Sequence, residues 1–305
     1  MTLRSVAFAR FLPCGGRYDL RLVIGRRTTR ALSGGPNAIV ARLFAEGRAV
    51  GIEIFAAGAV DRATIEAAME TARGIAGLDD DPRGFAALAK QHPTLERLHR
   101  RFAGARLGKS ATVFEVFAAT VLEQLVTFDE ARAARNRMIR RYGAKVEGTD
   151  LVAFPTADVV AAIPPHELRA MGVGLRRATT LREGARRASR LEELRARPPE
   201  EAMAAVQSLR GVGPWTANKV AIEALGYPDG VLVGDAGVPF VTTMALTGVA
   251  GGDAELLACL EPYRPHRARV LQLFDFAQII DHAIPGVPRK PLPTIDPHRR
   301  RPWEG

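Results

Sequence analysis

The sequence predicts a mainly α-helical protein in which an all-α domain follows a small α+β domain. Short β-type runs separated by glycine and proline clusters occupy the chain to about residue 57. Beyond residue 84 nearly every segment has helical periodicity, until a final stretch rich in proline and arginine. At 305 residues the chain is long enough for two domains. We therefore predict an α+β domain at 1–84, a helical domain at 85–282 and a basic tail at 283–305.

The first domain is predicted to be an antiparallel sheet covered by one helix. Four runs have β-type patterns: SVAFARF, YDLRLVI, AIVARLF and AVGIEIF. A helix is expected from about Asp61 to Ile75, with Asp61 as its N-cap. This helix would cover one face of the sheet.

The second domain is predicted to be helical throughout. Apolar residues recur every three to four positions in the segments 113–126, 129–142, 166–171, 175–195, 200–209, 215–226, 236–246, 253–260 and 265–282. The tail carries too little apolar surface to order itself.

Charge and cysteine content narrow the class of function. Lys and Arg number 43 against 33 Asp and Glu, a net charge of +10, which favours a polyanionic partner. Nucleic acid is the first candidate, while an acidic membrane surface or a plain Arg-rich composition stays open. We expect no membrane segment and a cytoplasmic location, because no apolar run approaches the ~20 residues that span a bilayer. Cys14 and Cys259 are too few for an iron–sulfur cluster, so we expect no cofactor.

The most informative segment is LRGVGPWTA, between two helical patterns. Gly211 and Gly213 permit a tight hairpin that includes Val212 and Pro214. Its amides, with the start of the predicted helix 215–226 around Thr216, can point at one phosphate. An ordinary helix–turn–helix connection uses the same residue types. By itself the segment leaves both interpretations open.

The segments LRGVGPWTANKV and VLVGDAGVPF resemble, in letters and spacing, the helix-hairpin-helix DNA glycosylase superfamily. Within it the chain is similar to the bacterial 3-methyladenine DNA glycosylase II group, which has counterparts of FEVFAATVLEQLVTF, VAFPTADVVAAIPPHELRAMGVGLRRATTL and EPYRPHRARVLQLF. The resemblance covers roughly residues 85 to 282. It implies a monomeric base excision repair enzyme that flips an alkylated or deaminated purine from double-stranded DNA and hydrolyses its bond to the sugar, leaving an abasic site.

Asp235 aligns with the catalytic aspartate of that superfamily. Standing before a predicted helix, it is also a natural N-cap, and the two roles are compatible because a capping side chain is held rigidly. The resemblance implies that its carboxylate stabilises positive charge on the deoxyribose, or orients or deprotonates the attacking water.

Trp215 occupies the position of the lysine with which bifunctional members attack the sugar. Tryptophan cannot do that chemistry, so the resemblance implies a monofunctional enzyme. Lys219, one helical turn further on, is a less favoured alternative nucleophile.

The resemblance also assigns a wedge and an ion site. Leu125, after Gln124, falls where the family places the side chain that fills the gap left by the flipped base, although core packing is the ordinary role of such a leucine. We expect the two domains to meet in a cleft, with the hairpin and Asp235 on one lip and Leu125 near the other. By position, the backbone carbonyls of Gln207, Leu209 and Val212 would hold a monovalent cation.

The base pocket departs from the family pattern. Trp215 is retained, but Lys219, Ala236 and His266 stand where the family's other aromatic pocket residues fall. Aromatic faces attract cationic bases, whereas a lysine would repel them unless it points away. Two alternatives therefore stay open: a glycosylase for a neutral lesion, and a non-catalytic protein that binds damaged DNA through the hairpin.

Overall fold

The first part of the chain forms a four-stranded antiparallel sheet. The computed structural model describes residues 6–13, 18–24, 29–35 and 37–288. The strands are β1 (Val6–Pro13), β2 (Thr29–Ala31), β3 (Ile39–Glu46) and β4 (Ala49–Ala56), in the order β1-β4-β3-β2. The predicted small antiparallel sheet is confirmed, with β2 added at its edge. Most of the predicted tail lies outside the described residues.

One predicted strand is wrong. The run YDLRLVI contains a short helix, α1 (Leu20–Ile24), in place of a strand. The Asp19 carboxylate accepts the Arg21 N–H at 3.0 Å and the Asp19 carbonyl accepts the Leu22 N–H at 3.0 Å, which turns the backbone into a helix. Leu20 is buried beneath the sheet, so burial is satisfied without strand pairing.

The helix predicted to cover the sheet is confirmed as α2 (Arg62–Ile75). The Asp61 carboxylate accepts the Thr64 N–H at 2.7 Å and caps it. Met69 and Ala72 share a core with Leu43 and Ile52 of the sheet. The α+β domain thus has its own apolar core.

The rest of the described chain is mainly helical, as predicted. Its elements, which include one two-stranded ribbon, are α3 (Phe85–Ala89), α4 (Pro93–Arg101), α5 (Val113–Glu123), α6 (Phe128–Tyr142), β5 (Ala144–Lys145), β6 (Val152–Ala153), α7 (Ala157–Ala162), α8 (Pro165–Ala170), α9 (Leu175–Arg186), α10 (Ala188–Glu192), α11 (Pro199–Gln207), α12 (Pro214–Leu225), α13 (Val238–Thr247), α14 (Asp253–Leu260) and α15 (Arg267–Ile280). Short 3₁₀ turns follow α10 and α14. The helix predicted over 175–195 breaks at Arg187.

The helices pack around two apolar cores. The first helical cluster is built on α5, α9 and α12, with Phe117, Leu181 and Val220 among its buried side chains. The second helical cluster joins α4 and α14 to α15. The chain passes from the first to the second between α12 and α13, which is where Asp235 lies. The boundaries at residues 84 and 282 stay predictions.

A buried ion pair ties the α+β domain to the second helical cluster. Arg269 of α15 donates to the Asp80 carboxylate at 2.8 Å, and both side chains are almost fully buried. Such a pair fixes geometry because either charge alone would be costly to bury. No helix within the described residues is both long enough and apolar enough to cross a membrane.

Candidate active site

The hairpin predicted from the two glycines is formed between α11 and α12. The Val212 N–H donates to the Leu209 carbonyl at 3.1 Å and closes the turn. Gly211 has a φ of +81°, and a Cβ there would lie 2.2 Å from the Thr180 hydroxyl. Gly213 is the N-cap of α12. Gly211 is therefore required both by its left-handed backbone and by the close approach of α9.

Neighbouring helices hold the carbonyls of this hairpin. The Thr180 hydroxyl donates to the Arg210 carbonyl at 3.0 Å, and the Gln124 amide donates to the Gly211 carbonyl at 3.0 Å. Within the described chain the N–H groups of Gly211 and Gly213 have no hydrogen-bond partner, and both residues are exposed. The hairpin therefore presents donors to solvent, which is what an anion requires.

Leu125 lies beside the hairpin. Gln124 Nε2 also donates to the Thr216 hydroxyl at 2.9 Å, so the end of α5 is tied to the start of α12. This amide brings Gln124, the neighbour of Leu125, to the hairpin, and the expected cleft with Leu125 near its other lip stays a prediction. Leu125 has a φ of +57° and a 48% exposed side chain. Left-handed backbone at a leucine costs about 1 kcal/mol, and an exposed, strained apolar residue is typical of a functional position.

The carboxylate of Asp235 accepts three N–H donors. Oδ1 accepts the backbone N–H groups of Gly237 at 2.8 Å and Val238 at 2.9 Å, which caps the start of α13. Oδ2 accepts the indole N–H of Trp215 at 2.8 Å. Asp235 is half-buried. The carboxylate is thus held rigidly and faces the first turn of α12, directly after the hairpin.

Lys219 lies in an ion-pair cluster next to Trp215. Its Nζ is 2.6 Å from Glu223 and 3.3 Å from Glu123, and 5.9 Å from the centroid of the Trp215 ring. Burial alone would lower the pKa of Lys219, but the adjacent Glu223 and Glu123 carboxylates raise it above its usual value. The amine therefore stays protonated and is a poor nucleophile.

Sequence reasoning missed the acidic side chains around Lys219. Asp275 of α15 is close enough to Lys219 and Glu223 for their charges to act on it, although its side chain reaches solvent. Loss of hydration raises the pKa of Asp275 and that of Glu123. Helical spacing could have revealed Glu223, four residues after Lys219. No local signal identifies Asp275, because α15 approaches only through tertiary packing.

The other two predicted pocket residues differ in their surroundings. Ala236 is exposed and directly follows Asp235. His266 is buried, and its ring nitrogens meet the Arg83 carbonyl at 3.0 Å and the Arg269 guanidinium at 3.1 Å. Burial lowers the pKa of His266. Within the described residues no hydrogen bond or ring contact joins His266 to Trp215 or Asp235, so the structure does not bring it to the site.

The described residues contain no group of three or more His, Cys, Asp or Glu side chains that could hold a metal ion. The three carbonyls predicted for a monovalent cation belong to the end of α11 and to the hairpin. The Leu209 carbonyl accepts one hydrogen bond, as given above, and those of Gln207 and Val212 accept none from the described residues.

Known proteins with similar sequences are DNA glycosylases. The chain is 25% identical over 170 residues to the DNA-3-methyladenine glycosylase of Bacillus subtilis, covering 53% of this chain and 55% of that protein. It is 32% identical over 144 residues to DNA-3-methyladenine glycosylase 2 of Escherichia coli, covering 46% and 51%. The matched region thus spans about half the length of these curated relatives. No protein-family model matches the chain.

The fold is also that of a solved glycosylase. The 3-methyladenine DNA glycosylase structure from Archaeoglobus fulgidus superposes with a TM-score of 0.75 at 22% identity, covering 90% of this chain and all of that one. At this identity the likeness establishes the fold. Together with the curated relatives it confirms the resemblance predicted from the motifs. The chain is thus similar in sequence and in fold to 3-methyladenine DNA glycosylases of the helix-hairpin-helix superfamily.

Proposed function

We propose that the protein is a monofunctional DNA glycosylase of base excision repair that excises an alkylated or deaminated purine from double-stranded DNA. The observation that carries this proposal is the Asp235 carboxylate, held by three N–H donors, one of which is the Trp215 indole in the first turn after a hairpin that presents exposed amides. The names of the curated relatives support the same activity. One chain supplies the hairpin, wedge and carboxylate, so we propose that it acts as a monomer.

The hairpin and Leu125 prepare the substrate. The exposed N–H groups of Gly211 and Gly213 bind a backbone phosphate, a contact independent of sequence whose strength falls as salt rises. Flipping a base out of the duplex costs about a few kcal/mol and leaves a gap in the stack. Leu125 fills this gap from beside the hairpin. The N–H groups that bind the phosphate and the side chain that fills the gap therefore act on neighbouring nucleotides.

Asp235 then acts on the sugar. The bond between C1′ and the base nitrogen breaks, and the base leaves with the bonding electrons. Positive charge develops on the deoxyribose, and the fixed carboxylate stabilises it without reorganising. Water adds to C1′, and its proton passes to the carboxylate or to solvent. The product is an abasic site in an intact strand.

Strand cleavage is not expected from the side chains next to Asp235. A lyase needs an unprotonated amine that attacks C1′ and forms a Schiff base. Trp215 has no such amine. Lys219 is protonated, paired with Glu123 and Glu223, and therefore lacks the lone pair that the attack requires.

The charge around Lys219 favours cationic lesions over neutral ones. Its single positive charge is paired with Glu123 and Glu223 and interacts electrostatically with Asp275. The repulsion that an isolated lysine would exert on a methylated purine is therefore offset. We propose an alkylated purine as the preferred substrate, with a neutral deaminated purine as the second candidate.

We also propose a monovalent cation at the hairpin, held by the carbonyls of Gln207, Leu209 and Val212. Carbonyl oxygens without N–H partners suit a hard cation, and two of these three accept no N–H from the described part of the chain. The cation would supply positive charge next to the bound phosphate.

The test is single-turnover excision from duplexes carrying 3-methyladenine, 7-methylguanine, hypoxanthine, ethenoadenine or 8-oxoguanine, read before and after alkali. We expect strand breaks only after alkali, fastest with the methylated purines. Breaks that form without alkali would contradict the monofunctional mechanism. Intact DNA after alkali for every lesion, with DNA binding retained, would indicate a non-catalytic binding protein.

A further inference from the structure

We propose that Trp215 is a positioning residue for Asp235: its indole N–H fixes the reactive carboxylate, and Lys219 in turn fixes the indole. This inference rests on the proposed glycosylase function and adds a role for Trp215 that does not require contact with the flipped base.

The first step is the unequal bonding of the two Asp235 oxygens. Oδ1 is held by two backbone N–H groups at the start of α13, whereas the single donor described for Oδ2 is the Trp215 indole, at 2.8 Å. If only one oxygen accepted hydrogen bonds, the carboxylate could rotate and its second oxygen would not be fixed. The indole bond fixes the second oxygen and therefore the plane of the group, while Oδ2 keeps a lone-pair direction for the sugar or the water.

The second step is that the indole is itself held in place. Lys219 lies four residues after Trp215, on the same face of α12, with its Nζ 5.9 Å from the ring centroid. Ion pairs to Glu123 of α5 and Glu223 of α12 fix the ammonium group. A line of contacts therefore runs from the first helical cluster through Lys219 and Trp215 to Asp235.

The third step concerns the residue type at position 215. Phenylalanine would fill a similar space beside Lys219 but has no N–H for Oδ2. A hydrogen bond to a charged acceptor is stronger than one between neutral groups. If Trp215 served only as an apolar platform, the N–H would be dispensable. If Trp215 positions Asp235, loss of the N–H alone should slow excision.

The kinetic test compares wild type with Trp215→Phe on a 7-methylguanine duplex under single turnover. We expect the excision rate at saturating enzyme to fall about tenfold or more, with the half-saturating enzyme concentration unchanged. In an Asp235→Asn background, Trp215→Phe should have no further effect, because the group on which the indole acts is gone. Trp215→Ala, which also removes the ring, serves as the comparison for lost packing.

A spectroscopic test remains available if Asp235→Asn reduces the rate below detection. The chain has two tryptophans, so the signal that Trp215→Phe removes from a spectrum of the indole N–H protons is that of Trp215. Loss of the carboxylate charge in Asp235→Asn should move this signal.

The outcomes separate this inference from the proposed function. Excision by wild type with an unchanged rate in Trp215→Phe, or a Trp215 signal insensitive to Asp235→Asn, would overturn the positioning role alone. An altered half-saturating concentration with an unchanged maximal rate would assign Trp215 to base binding instead. Absence of excision by wild type on every lesion would overturn both.

Discussion

Two turns of this protein share the sequence Gly-Val-Gly and differ in what surrounds them. The outer turn, Gly172-Val173-Gly174, joins α8 to α9, and the hairpin, Gly211-Val212-Gly213, joins α11 to α12. The first glycine has a φ of +88° in the outer turn and +81° in the hairpin. In both turns the second glycine is the N-cap of the next helix. The same residues therefore produce the same bend.

The surroundings give the two turns different chemistry. In the outer turn, arginine side chains donate hydrogen bonds to the backbone carbonyls: Arg137 to that of Met171 at 2.9 Å and Arg177 to that of Gly172 at 3.0 Å. In the hairpin the corresponding carbonyls accept from neutral side chains, Gln124 and Thr180. The outer turn is followed by the exposed Leu175, whereas the hairpin is followed by Pro214 and then by Trp215, which donates to Asp235. A glycine pattern thus predicts backbone geometry, and the tertiary neighbours decide function.

The largest expected difference between the turns comes from alanine at each first glycine. Gly211→Ala places a Cβ 2.2 Å from the Thr180 hydroxyl, whereas Gly172→Ala places one 3.0 Å from the flexible end of Arg137. Both variants carry backbone strain and should lose about 1–3 kcal/mol of unfolding free energy. Only Gly211→Ala should also weaken DNA binding, by about tenfold, since it distorts the amides that we propose to bind a phosphate. Denaturant unfolding and fluorescence anisotropy measure the two effects. Equal loss of DNA affinity in both variants would show that the hairpin and the outer turn do not differ in DNA binding.

An intermediate effect is expected at the two exposed leucines, Leu125 beside the hairpin and Leu175 after the outer turn. Asparagine tolerates the left-handed backbone of Leu125 better than leucine does. Leu125→Asn should therefore raise the unfolding free energy by about 0.5–1 kcal/mol while slowing excision several-fold. Leu175→Asn relieves no strain and should leave excision unchanged. Thermal melts and single-turnover rates check this, and unaltered excision in Leu125→Asn would argue against a wedge.

The smallest effect is expected from the side chains that hold the turns. Gln124→Ala removes the bond to the Gly211 carbonyl and loosens Leu125, so excision should slow by about threefold with little change in stability. Arg137→Ala, the matched change at the outer turn, frees the Met171 carbonyl and should lower stability without slowing excision. Identical excision rates in the two variants would show that Gln124 does not couple the hairpin to the wedge.

The sequence predicted helices better than their arrangement. Periodicity located α5, α12 and α15 to within a few residues, because burial of one face requires that spacing. It misassigned Leu20–Ile24, where a local Asp19 turn outweighs a β-type pattern. At the site, the resemblance of local motifs pointed to Asp235, Trp215 and the hairpin, which the structure brings together, while their roles stay predictions. The electrostatic interaction of Asp275 with Lys219 and the link from Gln124 to the hairpin depend on the approach of segments that are distant in sequence, which no local pattern encodes.

The most direct test of the central claim compares Asp235→Asn with Asp253→Asn in single-turnover excision. Asp253 of α14 is a matched control, because its carboxylate accepts the N–H of Gly234, the residue before Asp235, at 2.9 Å. Both changes keep an acceptor oxygen and remove a charge. We expect Asp235→Asn to lose at least about a hundredfold in rate while still binding the damaged duplex, and Asp253→Asn to stay within about threefold of wild type. Equal rates in the two variants would contradict Asp235 as the catalytic carboxylate.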